Sequence, residues 1–166
     1  MFWARKVIEE IDRDEVAKLV ASEAERLYRS GKMHCAEAVL ASVKGHFAPE
    51  IPDQVVRLAA GFGGGSGAGC ICGAVAGGTM ALGLVADLDK KGAAAMTREL
   101  HLWFKKEHGA TCCKILTAKG KGGCLKLTAS VAGKVAELLQ ERKSLLLPLA
   151  ALAQESIPCT STECYD

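Results

Sequence analysis

Eight cysteines are spread along 166 residues, at positions 35, 70, 72, 112, 113, 124, 159 and 164. Thiols ligate soft metals, exchange disulfides or pack as small apolar groups, and their setting decides which of these is open to them. The chain is 49% hydrophobic, enough to bury a core without cross-links. Its first ten residues meet charges at positions 5, 6, 9 and 10 and develop no apolar stretch of the secretory kind. A cytoplasmic, reducing location is therefore expected. There a cysteine-rich pattern points to metal binding or redox chemistry rather than a static disulfide framework.

The elements that must position these thiols read as helices throughout. Val16, Leu19, Val20, Ala24, Leu27 and Tyr28 recur at three- and four-residue spacing, predicting a helix over Glu15–Ser30 with Asp14 as its cap and Gly31 past its end. A second helix is expected over Met33–Lys44 and a short third one from Pro52, carrying Val55, Val56, Ala59 and Ala60. Residues 61–69, GFGGGSGAG, contain six glycines and must form a loop. After it, residues 73–88 predict a helix of small side chains, among them Ala74, Ala76, Gly77, Gly78, Ala81 and Gly83. Such a face lets a neighbouring helix approach closely, within the chain or across a homodimer. Met96, Leu100, Trp103 and Phe104 mark a helix ending near Gly109, with the two aromatics read as core. A short helix over Cys112–Leu116 and a long one over Cys124–Leu147, stopped by Pro148, complete the set. The expected architecture is all-α: one compact helical bundle over residues 1–153, a glycine-rich loop at its cysteine site, and a loosely ordered tail over 154–166 that holds Cys159 and Cys164.

On these boundaries Cys35, Cys72, Cys113 and Cys124 all fall near a helix N-terminus. Unpaired N–H groups and the helix dipole favour thiolates and anions there, so these four are the candidate ligands. Gly63, Gly64, Gly65 and Gly73 are the candidate cradle, because backbone without a Cβ brings N–H groups close to sulfur. Cys70 and Cys112 each adjoin a stronger candidate and are read equally well as small apolar residues. His34, His101 and His108 are read as ordinary surface or core histidines.

Other functions are disfavoured. The formal charge is only +2, with 21 basic and 19 acidic residues interspersed, so no basic stripe suggests nucleic acid. Neither GxGxxG nor GxxxxGK[ST] can be read in residues 61–83, which argues against a nucleotide site. Residues 58–86 carry no charge, but ten of those 29 are glycine, so a buried helix is expected rather than a membrane span.

Several stretches together resemble a family of redox-active proteins named for a C…GCAxxG…C…C pattern and related to part of split-Soret cytochrome c. They are Gly31-Lys-Met-His-Cys35-Ala-Glu-Ala-Val, Gly61-Phe-Gly-Gly-Gly, Cys72-Gly-Ala-Val-Ala-Gly77 with Met80-Ala-Leu-Gly83, Cys113-Lys-Ile-Leu, and Cys124. The resemblance spans roughly residues 24–139. It implies an all-helical fold, key cysteines at 35, 72, 113 and 124, redox activity with a partner protein, and an iron–sulfur cluster of [2Fe-2S] or [4Fe-4S] type. It does not imply haem, since no CxxCH occurs in the chain.

Two rivals stand beside the cluster. Four thiolates could close a structural zinc site, although the expected CxxC knuckles are absent and the CxC at 70–72 and the pair 112–113 are poor substitutes. A metal-free dithiol/disulfide oxidoreductase would need neighbouring thiols of low pKa.

Overall fold

The outer helices run longer than their apolar periodicity indicates. A computed structural model describes the backbone of residues 2–86 and 88–154 and the side chains of 14–86 and 88–143. Helix α1 spans Phe2–Arg29. It starts thirteen residues before the expected Glu15, because residues 2–14 are helix formers without a breaker. Asp14 is consequently inside the helix, where it pairs with Lys18 at 2.9 Å rather than capping. Then come α2 (Cys35–Phe47), a 3-10 helix over Asp53–Phe62, α3 (Gly73–Val85), α4 (Lys90–His108), α5 (Cys113–Leu116), a 3-10 turn over Lys121–Gly123, and α6 (Cys124–Gln154). The all-α expectation holds. No strand forms among the described residues, and Ile71 opposite Cys112 is an isolated antiparallel bridge.

Three boundaries differ from expectation for identifiable reasons. The third helix is 3-10, not α: Val56, Ala59 and Phe62 are the residues that turn inward, and their spacing of three matches the three-residue turn. Helix α4 begins at Lys90, six residues before Met96, because the Asp89 carboxylate accepts from the Gly92 N–H at 2.8 Å and caps a stretch lacking any apolar mark. Helix α6 runs through Pro148 to Gln154. A proline costs one helical hydrogen bond and a kink, and the leucines and alanines on both sides carry the helix past it. Of the expected tail, Gln154 ends α6 and the rest, with Cys159 and Cys164, lies outside the described residues.

Helix α3 is the centre of the bundle. It packs along α2 and also meets α4 and α6, while α1 lies along α6. Its first six residues, Gly73 to Gly78, are all buried. A Cβ on Gly77 would stand 2.9 Å from Ala36 Cα and 3.0 Å from its carbonyl carbon. One on Gly78 would meet Leu100 at 2.9 Å and Val131 and Val135 at 3.0 Å. The close approach expected of the small-residue helix is thus made inside the chain, to α2 on one side and α4 and α6 on the other. Around it Val20, Val39, Val43, Val75, Leu82, Leu100, Phe104, Val131 and Val135 form one continuous core. No helix among the described residues is long and apolar enough to cross a membrane.

Candidate functional site

Each of the four cysteines stands at a helix start. Cys35, Cys113 and Cys124 are the first residues of α2, α5 and α6, and Cys72 caps α3. The chain turns out of α1 through Gly31, at φ +73°. Helix α2 is then opened by the His34 N–H donating to Glu37 Oε2 at 2.9 Å. Cys72 and Cys113 are held side by side by the bridge: the Cys72 N–H donates to Thr111 O at 2.7 Å, and the Cys113 N–H to Cys70 O at 2.6 Å. The Thr128 hydroxyl, one turn into α6, donates to the Cys124 carbonyl at 2.8 Å.

These four starts converge. Cys35, Cys72, Cys113 and Cys124 all line one cavity of about 250 Å³, together with Gly63, Gly64 and Gly73. At Gly73 a side chain would displace a thiol, and at Gly63 it would run into the His34 ring, whereas Gly64 has open space and is required by its left-handed φ of +64°. A Cβ on Gly73 would sit 2.5 Å from Cys35 Sγ and 2.6 Å from Phe62 O. On Gly65 it would sit 2.6 Å from Cys113 Cβ, so Gly65 backs that cysteine although it is not part of the cavity wall. Gly64, Gly65, Gly67 and Gly69 have positive φ, as does Ser66, and this left-handed run closes through the Cys70 N–H donating to Gly65 O at 3.0 Å. Among the described residues no three His, Cys, Asp or Glu side chains gather closely enough to hold a single metal ion. The sulfurs therefore share a cavity without crowding one point.

Cys35, Cys72 and Cys113 do not have the low pKa values expected of helix N-termini. Burial pushes Cys72 up to about 11, with smaller upward contributions from the Cys35 and Cys113 thiols, although the Ala74 and Val75 N–H groups donate to its sulfur and oppose the shift. Cys35 is raised by burial and by Cys124 and Cys113, against the Ala36 N–H. Cys113 is raised by burial and Cys124, against the Thr117 hydroxyl and the Lys121 ammonium. Desolvation outweighs the helix ends at all three, and at Cys113 it outweighs the Lys121 ammonium as well. A dithiol enzyme, which needs an activated thiolate, finds none among these three. In the reduced, metal-free protein we expect iodoacetamide to modify exposed Cys70 first. Cys72, only roughly one part in a thousand ionised at pH 8, should accelerate steadily toward pH 11, as read by peptide mass mapping; Cys72 labelling at pH 7 as fast as Cys70 would contradict its environment.

Tyr28 belongs to the site and its periodicity conceals it. Read as one more apolar residue of α1, it lines the cavity. Its phenol is pushed up to about 12 by burial, then by the neighbouring Cys124 thiol, and by Cys35 and Cys113. Lys121, hidden in a turn-like stretch, also lines the cavity, as does His34. The other candidates stand apart from it. His101 Nε2 lies 3.3 Å from Thr79 Oγ1, and the His108 ring lies 4.6 Å from that of Phe104. Burial lowers the pKa of both histidines. Cys70 is exposed, and the Cys112 thiol donates to Gly69 O at 3.3 Å; neither lines the cavity.

No curated protein and no solved structure matches the chain. A family model does: residues 33–138 match the family described as "Putative redox-active protein (C_GCAxxG_C_C)". The matched stretch takes in all four cavity cysteines and the glycine run between the first two. Extending over more than half of the sequence, the match shows that the chain belongs to this family of redox-active, cysteine-patterned proteins.

Proposed function

We propose that this protein is an electron carrier that holds an iron–sulfur cluster through Cys35, Cys72, Cys113 and Cys124. The observation that carries the reading is the convergence of four thiols, from four separate helix starts, on a single cavity of about 250 Å³. The donor set fits: four cysteine sulfurs are the usual ligands of [2Fe-2S] and [4Fe-4S] centres.

Within this reading the chain's residues have distinct tasks. The four sulfurs ligate. The Ala36, Ala74 and Val75 N–H groups favour the ionised form of two of them, Cys35 and Cys72, and Tyr28 stands beside Cys124 in the cavity wall. Glycines at 63, 65 and 73 keep the walls back from the sulfurs and from the His34 ring. When bound, a cluster supplies reversible one-electron chemistry. The protein purified without oxygen should be brown, with iron and acid-labile sulfide near-stoichiometric to each other and visible absorption that bleaches on dithionite reduction. A colourless preparation with one zinc per chain would overturn the proposal.

A further inference from the structure

The charges around the cavity mouth are strongly one-sided. Lys32, Lys114, Lys119 and Lys121 each lie within two residues of a cavity-lining residue or line it themselves. All four are exposed, and among the described residues none forms an ion pair. Arg26 and Arg29 are equally near but are matched by Glu23 and Glu25 on their own helix. The sole carboxylate within the same reach is Glu37, already engaged by the His34 N–H. From His108 to Ala136 the sequence has no acidic residue at all. The glycine wall adds no charge of its own.

Beside this cationic rim lies exposed apolar surface. Ile115, two residues from Cys113 on α5, is 64% exposed, and Leu58, two residues before the cavity-lining Ala60, is 73% exposed. A small apolar contact ringed by charge of one sign is the anatomy of a transient encounter surface, in which charge steers approach and a modest apolar area allows release.

We propose that this lysine-rimmed mouth is the docking surface for an acidic redox protein, whose carboxylates face Lys32, Lys114, Lys119 and Lys121 while Ile115 makes the apolar contact. The inference rests on the electron-transfer reading above and adds the partner's charge and its point of attachment. One electron passes per encounter, from the reduced partner to the oxidised site or the reverse, with no bond made or broken.

The test uses the purified holoprotein and an acidic plant-type ferredoxin as electron donor, followed by stopped-flow absorbance, with ferricyanide and a tris(phenanthroline)cobalt(III) cation as small oxidants of opposite charge. The rates with ferredoxin and ferricyanide should fall as salt rises, and that with the cobalt cation should not. Replacing Lys32, Lys114 and Lys119 together by Glu should slow the ferredoxin reaction about tenfold or more at low salt. Replacing Lys90, Lys91 and Arg98, exposed residues of α4, by Glu changes the net charge equally and should have little effect. Equal responses of the two triple variants would overturn the docking site while leaving the cluster reading intact. Micromolar binding of a single-stranded oligonucleotide, lost in the first triple variant alone, would overturn it in favour of nucleic acid. If the protein carries no cluster, the electron-transfer reading fails by itself. The surface is then tested by the rates at which its reduced thiols react with the anionic disulfide of dithiobis-nitrobenzoate and with cationic cystamine: a ratio of the first rate to the second that falls only in the first triple variant supports the basic mouth, and a ratio unchanged, or changed equally in both triple variants, overturns it.

Discussion

Serine in place of Cys35, Cys72, Cys113 or Cys124 should each strip the protein of most of its iron, whereas serine at 70, 112, 159 or 164 should leave it. A four-thiolate centre is bound cooperatively. Loss of an outer-shell partner alone commonly costs about 10–100-fold in metal affinity, and loss of a ligand should exceed that. The fold should loosen as well, because the centre would tie together the starts of α2, α3, α5 and α6, whose binding free energy is then also folding free energy. The Cys72 variant carries an added complication: that side chain is buried, so a hydroxyl there is costly even without metal. Cys124, only partly buried, is the cleaner probe, since its loss should remove iron with less harm to the apo-protein. Iron per chain, acid-labile sulfide and visible absorption, measured on all eight variants prepared side by side without oxygen, decide the matter. Full iron in Cys124→Ser, or total loss in Cys70→Ser, would show that the ligands are wrongly assigned.

One substitution made at two places in α3 should change stability in opposite directions. At Gly83 an added Cβ meets nothing within 4 Å, and alanine there should stabilise the helix by about 0.5–1 kcal/mol by restricting the unfolded chain. At Gly77 the same methyl would run into the Ala36 carbonyl oxygen and lie 2.9 Å from Ala36 Cα. Backbone cannot rotate away as a side chain can, so α2 and α3 must separate. Overpacking of this kind costs about 1–3 kcal/mol or more, which for a protein of this size lowers Tm by roughly 3–10 °C. Gly77→Leu should exceed that and abolish folding or drive aggregation. Because Ala36 adjoins Cys35, Gly77→Ala should weaken iron binding too, while Gly83→Ala retains it. Thermal melts followed by circular dichroism give the signs; equal Tm values for the two alanine variants would mean that α2 and α3 do not pack as described.

Much of this molecule is legible in its amino-acid sequence, for reasons that are local. Apolar residues at three- and four-residue spacing, with glycines at 31 and 109, mark the helices because amphipathicity and chain termination depend on a few neighbouring residues. Six glycines within residues 61–69 require an irregular backbone wherever the segment lies. The four cysteines stand out because each falls where a helix begins. Tertiary structure alone decides the rest. Whether four helix starts up to 89 residues apart meet at one cavity depends on how α2, α3 and α6 pack, and on the short bridge that sets Cys72 beside Cys113, neither of which leaves a periodic trace. The thiol ionisation expected from helix dipoles is reversed for Cys35, Cys72 and Cys113 because burial, a property of the whole bundle, outweighs a helix end. Tyr28 reads as core for the same reason: a chain position reveals the face of a helix on which a side chain lies, and only the packed neighbours reveal what that face meets.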